Sequence, residues 1–277
     1  MYVGNKKVIP VLKVVADSSI KYAKLILPVI KGGNYNTLDV VTDPSDAVCT
    51  LTYGGNSYIT KHAVVPTGTI VSYSIYSPSH PEYGTEIGTL TMDADKTLTC
   101  TGTTTPVYSN FVRPDLTANG TLGGDAFAVA ASSYAAGNVA YRAVDNSDTT
   151  YWLSDSYGND GNLSDDWYKL YNPDAINIKL LTMVNRASQN NGITEGVIYA
   201  SDTDSDYSSI ISFTNSNTTA KGVWTIDLSS NNLYRKYYKL QFTKFGGTIN
   251  QRYGLIDIGI TATYQSSSSY GWTVAVS

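Results

Sequence analysis

The sequence predicts an all-β protein, a small β-sandwich followed by a jelly-roll β-sandwich. Three observations lead there. Apolar and polar residues alternate at period two in segment after segment, the mark of half-buried strands rather than helices. Clusters of Gly, Asn, Asp, Pro and Ser punctuate those segments. At 277 residues the chain is also long enough for two domains, each burying its own core.

Residues 1–36 read as an N-terminal assembly arm, with β-favouring runs at 8–15 and 25–30 and an end at Gly32-Gly33-Asn34. A segment this short cannot bury both runs alone, so it should pack on a neighbour or add a strand to the next domain. Residues 37–104 hold the first sandwich. Leu38 to Thr42 leads into the turn cluster Asp43-Pro44-Ser45-Asp46-Ala47, and Val48 to Tyr53 alternates into the hairpin turn Gly54-Gly55-Asn56. Val71, Tyr73 and Ile75 share a strand face opposite Ser72 and Ser74. Pro78 to Gly84 is a loop, and Thr89-Leu90-Thr91 and Thr97 to Cys100 are closing strands. Cys49 is in phase with Ala47 and Leu51, and Cys100 with Leu98. Both therefore face a core, as free thiols or as a disulfide between neighbouring strands.

Residues 105–123, carrying Pro106, Arg113-Pro114 and Gly123, read as a linker. Residues 124–265 form the second sandwich. There Ile176, Ile178, Leu180, Thr182 and Val184 share a face, as do Trp224, Ile226 and Leu228, then Tyr238, Leu240 and Phe242, then Ile256, Ile258 and Ile260. Ala126 to Ala136 is the exception, a short helix by its alanine content. Residues 266–277 read as a tail, a serine tether followed by a strand from Trp272 to Val276 that is free to pair with a partner.

Two ordered sets of residues carry family resemblances. The first is Asp43-Pro44 with Ala47, then Gly54-Gly55-Asn56, Pro66-Thr67-Gly68-Thr69 and its following strand, and Glu82-Tyr83-Gly84 before a Thr-rich end. This order is similar to the PEGA family of small β-sandwiches, which are usually surface-associated spacers, although Asp46 stands where that family has Gly. The second begins with Ala143-Val144-Asp145-Asn146-Ser147-Asp148-Thr149-Thr150-Tyr151-Trp152. It continues through Trp167, Ile176 to Val184, Val197 to Asp202, Trp224 to Leu228, Tyr238 to Phe242 and Leu255-Ile256-Asp257-Ile258. That order resembles the discoidin domains (coagulation-factor type C) and the related family-32 carbohydrate-binding modules, over residues 124 to 265. The opening Met-Tyr-Val-Gly-Asn-Lys-Lys-Val resembles the start of structural proteins of tailed bacteriophages.

Composition narrows the function classes. Net charge is −4 with no block of either sign, so the basic footprint that nucleic acid requires is missing. No apolar run approaches the roughly 18 residues that span a bilayer, so membrane insertion is not expected. Lys13 and Pro10 interrupt the N-terminal apolar stretch, which is not read as a cleaved secretion signal. Tyrosine stands out, 23 against five phenylalanines, and its flat face with a polar tip suits wet sheets and sugar-contacting loops. Catalysis finds no foothold. His62 and His80 lie in no zinc or triad pattern. Asp165 and Asp166 are strand neighbours that point opposite ways and cannot straddle one glycosidic bond. The Gly-Gly steps at 54, 123 and 246 lack a phosphate-loop context. The chain reads as a non-enzyme.

Two sites are expected. Asp145, Asn146, Asp148 and Thr150 offer hard oxygens within six residues, as Ca²⁺ requires, though a capped turn uses the same residues. The resemblance implies a further acidic ligand near the last strand, which here is Asp257. The expected structural Ca²⁺ set is thus Asp145, Asp148, Thr150 and Asp257. For sugar, loops after Trp152, Val184 and Phe242 are the places to look. Tyr157, Trp167 and Tyr168 offer rings, Asn185, Arg186, Gln189 and Asn190 offer polar groups, and Lys244 with Arg252 and Tyr253 completes a rim. Trp167 is read first as a core residue of the sandwich, and Arg186 is the leading contact by resemblance to the family's Asn-Arg pair. The expectation is a virion or surface protein displaying a glycan-binding head, homo-oligomeric and joined to other virion proteins through its N-terminal arm. The alternatives are a structural or decoration protein of a phage particle that binds no sugar, and a secreted bacterial adhesin.

Overall fold

The computed structural model describes residues 34–135, 137–155, 162–186, 192–246 and 252–277, together with four short strands within the first 22 residues. Strands dominate, with two 3₁₀ turns at Pro81–Tyr83 and Ala140–Ala143 and no α-helix among the described residues. No helix there is long and apolar enough to cross a membrane. The chain divides into two compact units, residues 1–104 with 270–277, and residues 105–269.

The first unit is a sandwich. One sheet runs Glu86–Met92, Thr69–Tyr76, Val48–Tyr53, Asn56–Ile59 in spatial order, all antiparallel. In the other layer Tyr35–Asp43 lies antiparallel to His62–Pro66 and parallel to residues 96–101. Leu38, Leu51, Val71, Ile75, Met92 and Leu98 fill the space between, as the period-two pattern requires. Gly54 and Gly55 both have positive φ (57° and 80°) and Tyr53 pairs with Asn56, so this is the two-residue hairpin whose twist suits its strands and which glycine adopts without strain. At the N-terminus Tyr2–Val3 pairs with Lys6–Lys7, and Lys13–Ala16 with Ser19–Tyr22. The run at 25–30 lies outside the described residues.

The segment expected to be a tail belongs to this fold. The last strand, Gly254–Val276, contributes residues 270–276 here, and Ser277 and Thr97 exchange backbone hydrogen bonds of 2.8 and 3.0 Å. Trp272 and Val274 pack on the core, and the Trp272 indole N–H donates to the Gly84 carbonyl at 3.2 Å. Trp272 and Val274 share one strand face, and burying that face at home outweighs the freedom its serines would keep in water.

Cys49 and Cys100 are free and buried. Burial pushes both thiols from the ordinary 9.0 up to about 11. The folded state therefore favours the neutral thiols. Their contribution to stability is whole below pH 9.0 and is lost as pH rises through about 11. We expect neither thiol to react with an aromatic disulfide reagent at about pH 8 until denaturant is added, and the urea midpoint of this unit to fall between about pH 9 and 11.

The second unit is also a sandwich, folded around one long strand, Asn162–Asn185, that serves both layers. Its first half pairs with Arg235–Phe245 and with Ala128–Ala131, and its second half pairs with Gly254–Val276 and Val223–Asp227. The change falls at a register slip between Tyr171 and Ile176, around Pro173. Ile193–Ser201 and Ser208–Thr214 extend the first layer. Trp152, Tyr168, Leu240, Phe242, Leu255 and Ile258 lie in the core between them.

Three expectations are corrected. Residues 105–123 are no linker. Strand Lys96–Phe111 runs into them, the Leu116 amide donates to Val144 and the Val129 amide to Asn119, and Leu116 packs on the core. Ala128–Ala131 is a strand, because pairing with Tyr168 to Tyr171 overrides alanine's helical preference. In the long strand the buried set is Ile176, Ile178, Leu181 and Met183, while Leu180, Thr182 and Val184 are only partly covered. A bulge between Ile178 and Leu180 inserts one residue and inverts the phase beyond it.

Candidate functional site

One end of the second sandwich gathers two of the polar groups the sequence singled out, Arg186 and Arg252, together with Asp155. Strand Trp152–Leu153 pairs with Leu255 and Gly254, and the Ser154 amide donates to Tyr253. The Arg186 amide donates to Gly254 at 3.0 Å. These bonds bring Asp155, Arg186 and Arg252 to one place. Arg252 Nη2 lies 2.5 Å from Asp155 Oδ1. The Arg186 guanidinium carbon sits 5.3 Å from the centre of the Tyr151 ring, and its Nη1 donates to the Arg252 carbonyl at 3.5 Å. Arg186 Nε is buried without a hydrogen-bond partner, and Arg186 has no carboxylate within ion-pair distance among the described residues. A guanidinium packed over a ring is pre-organised and loses little entropy when it donates to a ligand.

Beneath this end lies a buried carboxylate to which sequence reading assigns no role. Asp166 is 3% exposed. It accepts hydrogen bonds from Ser132 Oγ (3.0 Å), Ser154 Oγ (3.1 Å) and Tyr253 Oη (2.8 Å). Three stretches, around residues 132, 154 and 253, are thereby tied to one strand. Burial, and then the Asp166 charge, raise the Tyr253 hydroxyl well above its ordinary range, so Tyr253 remains a donor. A signal is present in the sequence: Asp166 is in phase with Tyr168 and Leu170, which face the core.

The structure separates the expected sugar contacts. Arg186 and Arg252 come together. Lys244 is exposed and pairs with Glu195 at 2.9 Å. Asn185 is 1% exposed and fully engaged, donating to Asn217 and Thr219 and accepting from the Trp224 indole at 2.9 Å, so it braces the strand end and is not a ligand contact. Tyr253 and Tyr168 are core residues, the latter donating to the Ala140 carbonyl. Trp167 lies on the opposite strand face from Tyr168, partly exposed, with Lys169 Nζ 4.6 Å from its ring centre. Tyr157, Gln189 and Asn190 lie outside the described residues. Tyr151 and Asp155, which sequence reading passes over, adjoin the two arginines.

The residues expected to hold Ca²⁺ do not fit that ion as they stand. Asp145 is occupied by its own turn, accepting from the Ser147 amide at 3.1 Å and the Thr150 hydroxyl at 2.6 Å, with Asn146 at positive φ. Asp148 is exposed and lines a shallow cleft of about 220 Å³ with Asn146, Lys221 and Asp257. Asp257 is instead paired with Arg113. Among the described residues no three His, Cys, Asp or Glu side chains gather closely enough to hold a metal.

No family model matches the chain, and no curated protein matches it. Among solved structures half of the chain resembles family-32 carbohydrate-binding modules. One is the family 32 module of Clostridium perfringens NanJ in complex with galactose, 17% identical over 50% of this chain and 93% of that one, TM-score 0.39. Chitosan-binding module 1 of a chitosanase/glucanase from Paenibacillus sp. IK-5 is 19% identical over 50% and 95%, TM-score 0.39. A third, module 32-5 of CpGH89 from C. perfringens in complex with GalNAc-β-1,3-galactose, is 16% identical over 49% and 94%, TM-score 0.40.

Proposed function

We propose that this protein is a non-enzymatic virion or surface component whose second domain binds glycans for adhesion to host-cell or mucus surfaces. The observation that supports the reading is the arrangement at one end of that domain. The Arg186 guanidinium, over the Tyr151 ring, stands beside the Arg252–Asp155 pair. Sugar hydroxyls accept paired hydrogen bonds from such a fork and donate their own to the adjoining carboxylate. The first sandwich serves as a spacer. Its resemblance to surface spacers, and the opening that resembles phage structural proteins, favour a particle on which many weak sites act together through effective concentration.

The test is a glycan array probed with the full chain, multimerised, beside its Arg186→Ala variant. Loss of a charged hydrogen-bond donor costs about 1.5–3 kcal/mol, or roughly 10- to 150-fold in Kd, and binding is compared at a temperature where both proteins are folded. Equal binding by the variant moves the site elsewhere. No binding to any sugar by either protein favours a structural role in the particle. Antibody labelling of intact particles tests the virion placement.

A further inference from the structure

We propose that the cation joining the two ends of the second domain is the guanidinium of Arg113, and that this domain is therefore independent of calcium. The geometry around Arg113 carries the argument. Its Nη2 lies 3.2 Å from Asp257 Oδ1 and 3.7 Å from Asp115 Oδ1. The side chain is 11% exposed, and Nη1 is buried without a hydrogen-bond partner. Water therefore does little to solvate this charge, and the neighbouring carboxylates hold it in place. A divalent ion bound to Asp257 would sit against a positive charge already within hydrogen-bond distance of the same carboxylate. It would also need six to eight oxygens, while those of Asp145 and Thr150 are bonded to each other.

The pair does the mechanical work that a structural metal would do. Arg113 lies at the start of the domain and Asp257 in its last strand, 144 residues further on. Three residues beyond Arg113, the Leu116 amide donates to Val144, the residue before the Asp145 turn. One side chain and one backbone bond thus gather the entering segment, the turn and the closing strand. A permanent cation on the chain replaces one taken from solution, and stability no longer depends on free calcium by mass action.

Calorimetry of the full chain tests this. With millimolar calcium or with excess chelator, the midpoint of the wild-type second domain is expected to stay within about 1 °C. Arg113→Met keeps the aliphatic stem and removes the charge, leaving Asp257 half-buried and uncompensated. Its midpoint is expected to fall by roughly 4–10 °C. Asp257→Asn should also lower it, and the double variant should lose less than the sum of the two, because removing both charges leaves neither stranded. A wild-type midpoint that drops on chelation, or rises with calcium, overturns the proposal. So does an Arg113→Met protein as stable as the wild type. Should that variant fail to fold, Asp257→Asn and the wild-type chelation arm still separate a guanidinium clamp from a calcium site.

Discussion

Asp166→Ala is expected to lower the thermal midpoint of the second domain by roughly 4–24 °C. The carboxylate accepts from Ser132, Ser154 and Tyr253, each in or next to buried structure. Its removal strips that acceptor from the buried Ser154 and Tyr253 hydroxyls at about 1–3 kcal/mol apiece, about 2–6 kcal/mol together, while the exposed Ser132 can turn to water. Asp166→Asn retains one acceptor oxygen and should lose about half as much. Glycan binding should weaken in the alanine variant even where it remains folded, since Ser154 and Tyr253 adjoin Asp155 and Arg252. Calorimetry and the array together check this. A shift under about 2 °C would mean that water replaces the lost acceptor and that the cluster is less closed than its burial implies.

The second large effect concerns the first domain. Removing residues 270–277 takes away the Thr97–Ser277 bonds and uncovers the core face on which Trp272 and Val274 rest. The Trp272 ring also meets Tyr83 edge-on at 5.5 Å, and the Tyr83 ring lies where any side chain at position 102 would stand, so Gly102 admits it. Trp272→Ala alone should cost about 2–3 kcal/mol for a partly covered indole, and the truncation more. In a domain of this size that is a fall of roughly 8–20 °C in its own transition, with the second domain's transition unmoved. If the two transitions fall together the domains do not melt independently. If neither moves, the strand is an ornament on a self-sufficient sandwich.

Much of the fold is legible in the sequence because period-two burial is a local property. Val71, Tyr73 and Ile75, the Gly54-Gly55 hairpin, the buried thiols and the inward faces at 224–228 and 238–242 all follow from residues a few positions apart. Ala128 to Ala131 misleads because helix propensity is a weak force beside a cross-strand ladder. Of the candidate site, Arg186 and Arg252 can both be picked out from the sequence and the structure brings them together, whereas the burial of Asn185 and Tyr253 is not legible there. Their neighbours are polar, and composition alone reads such a stretch as a solvated loop.

By itself the sequence determined most of the strands, their inward faces between irregularities, the two-sandwich architecture and the lack of a basic footprint or a long apolar run. Only the tertiary structure decided that residues 105–123 belong to the second domain, that the last strand completes the first, that a bulge after Ile178 inverts a buried face, and that Arg113 pairs with Asp257. The reason is physical. Periodicity records which side of its own strand a residue occupies. A one-residue bulge reverses that record, and an ion pair across 144 positions leaves no trace in the local sequence of either partner.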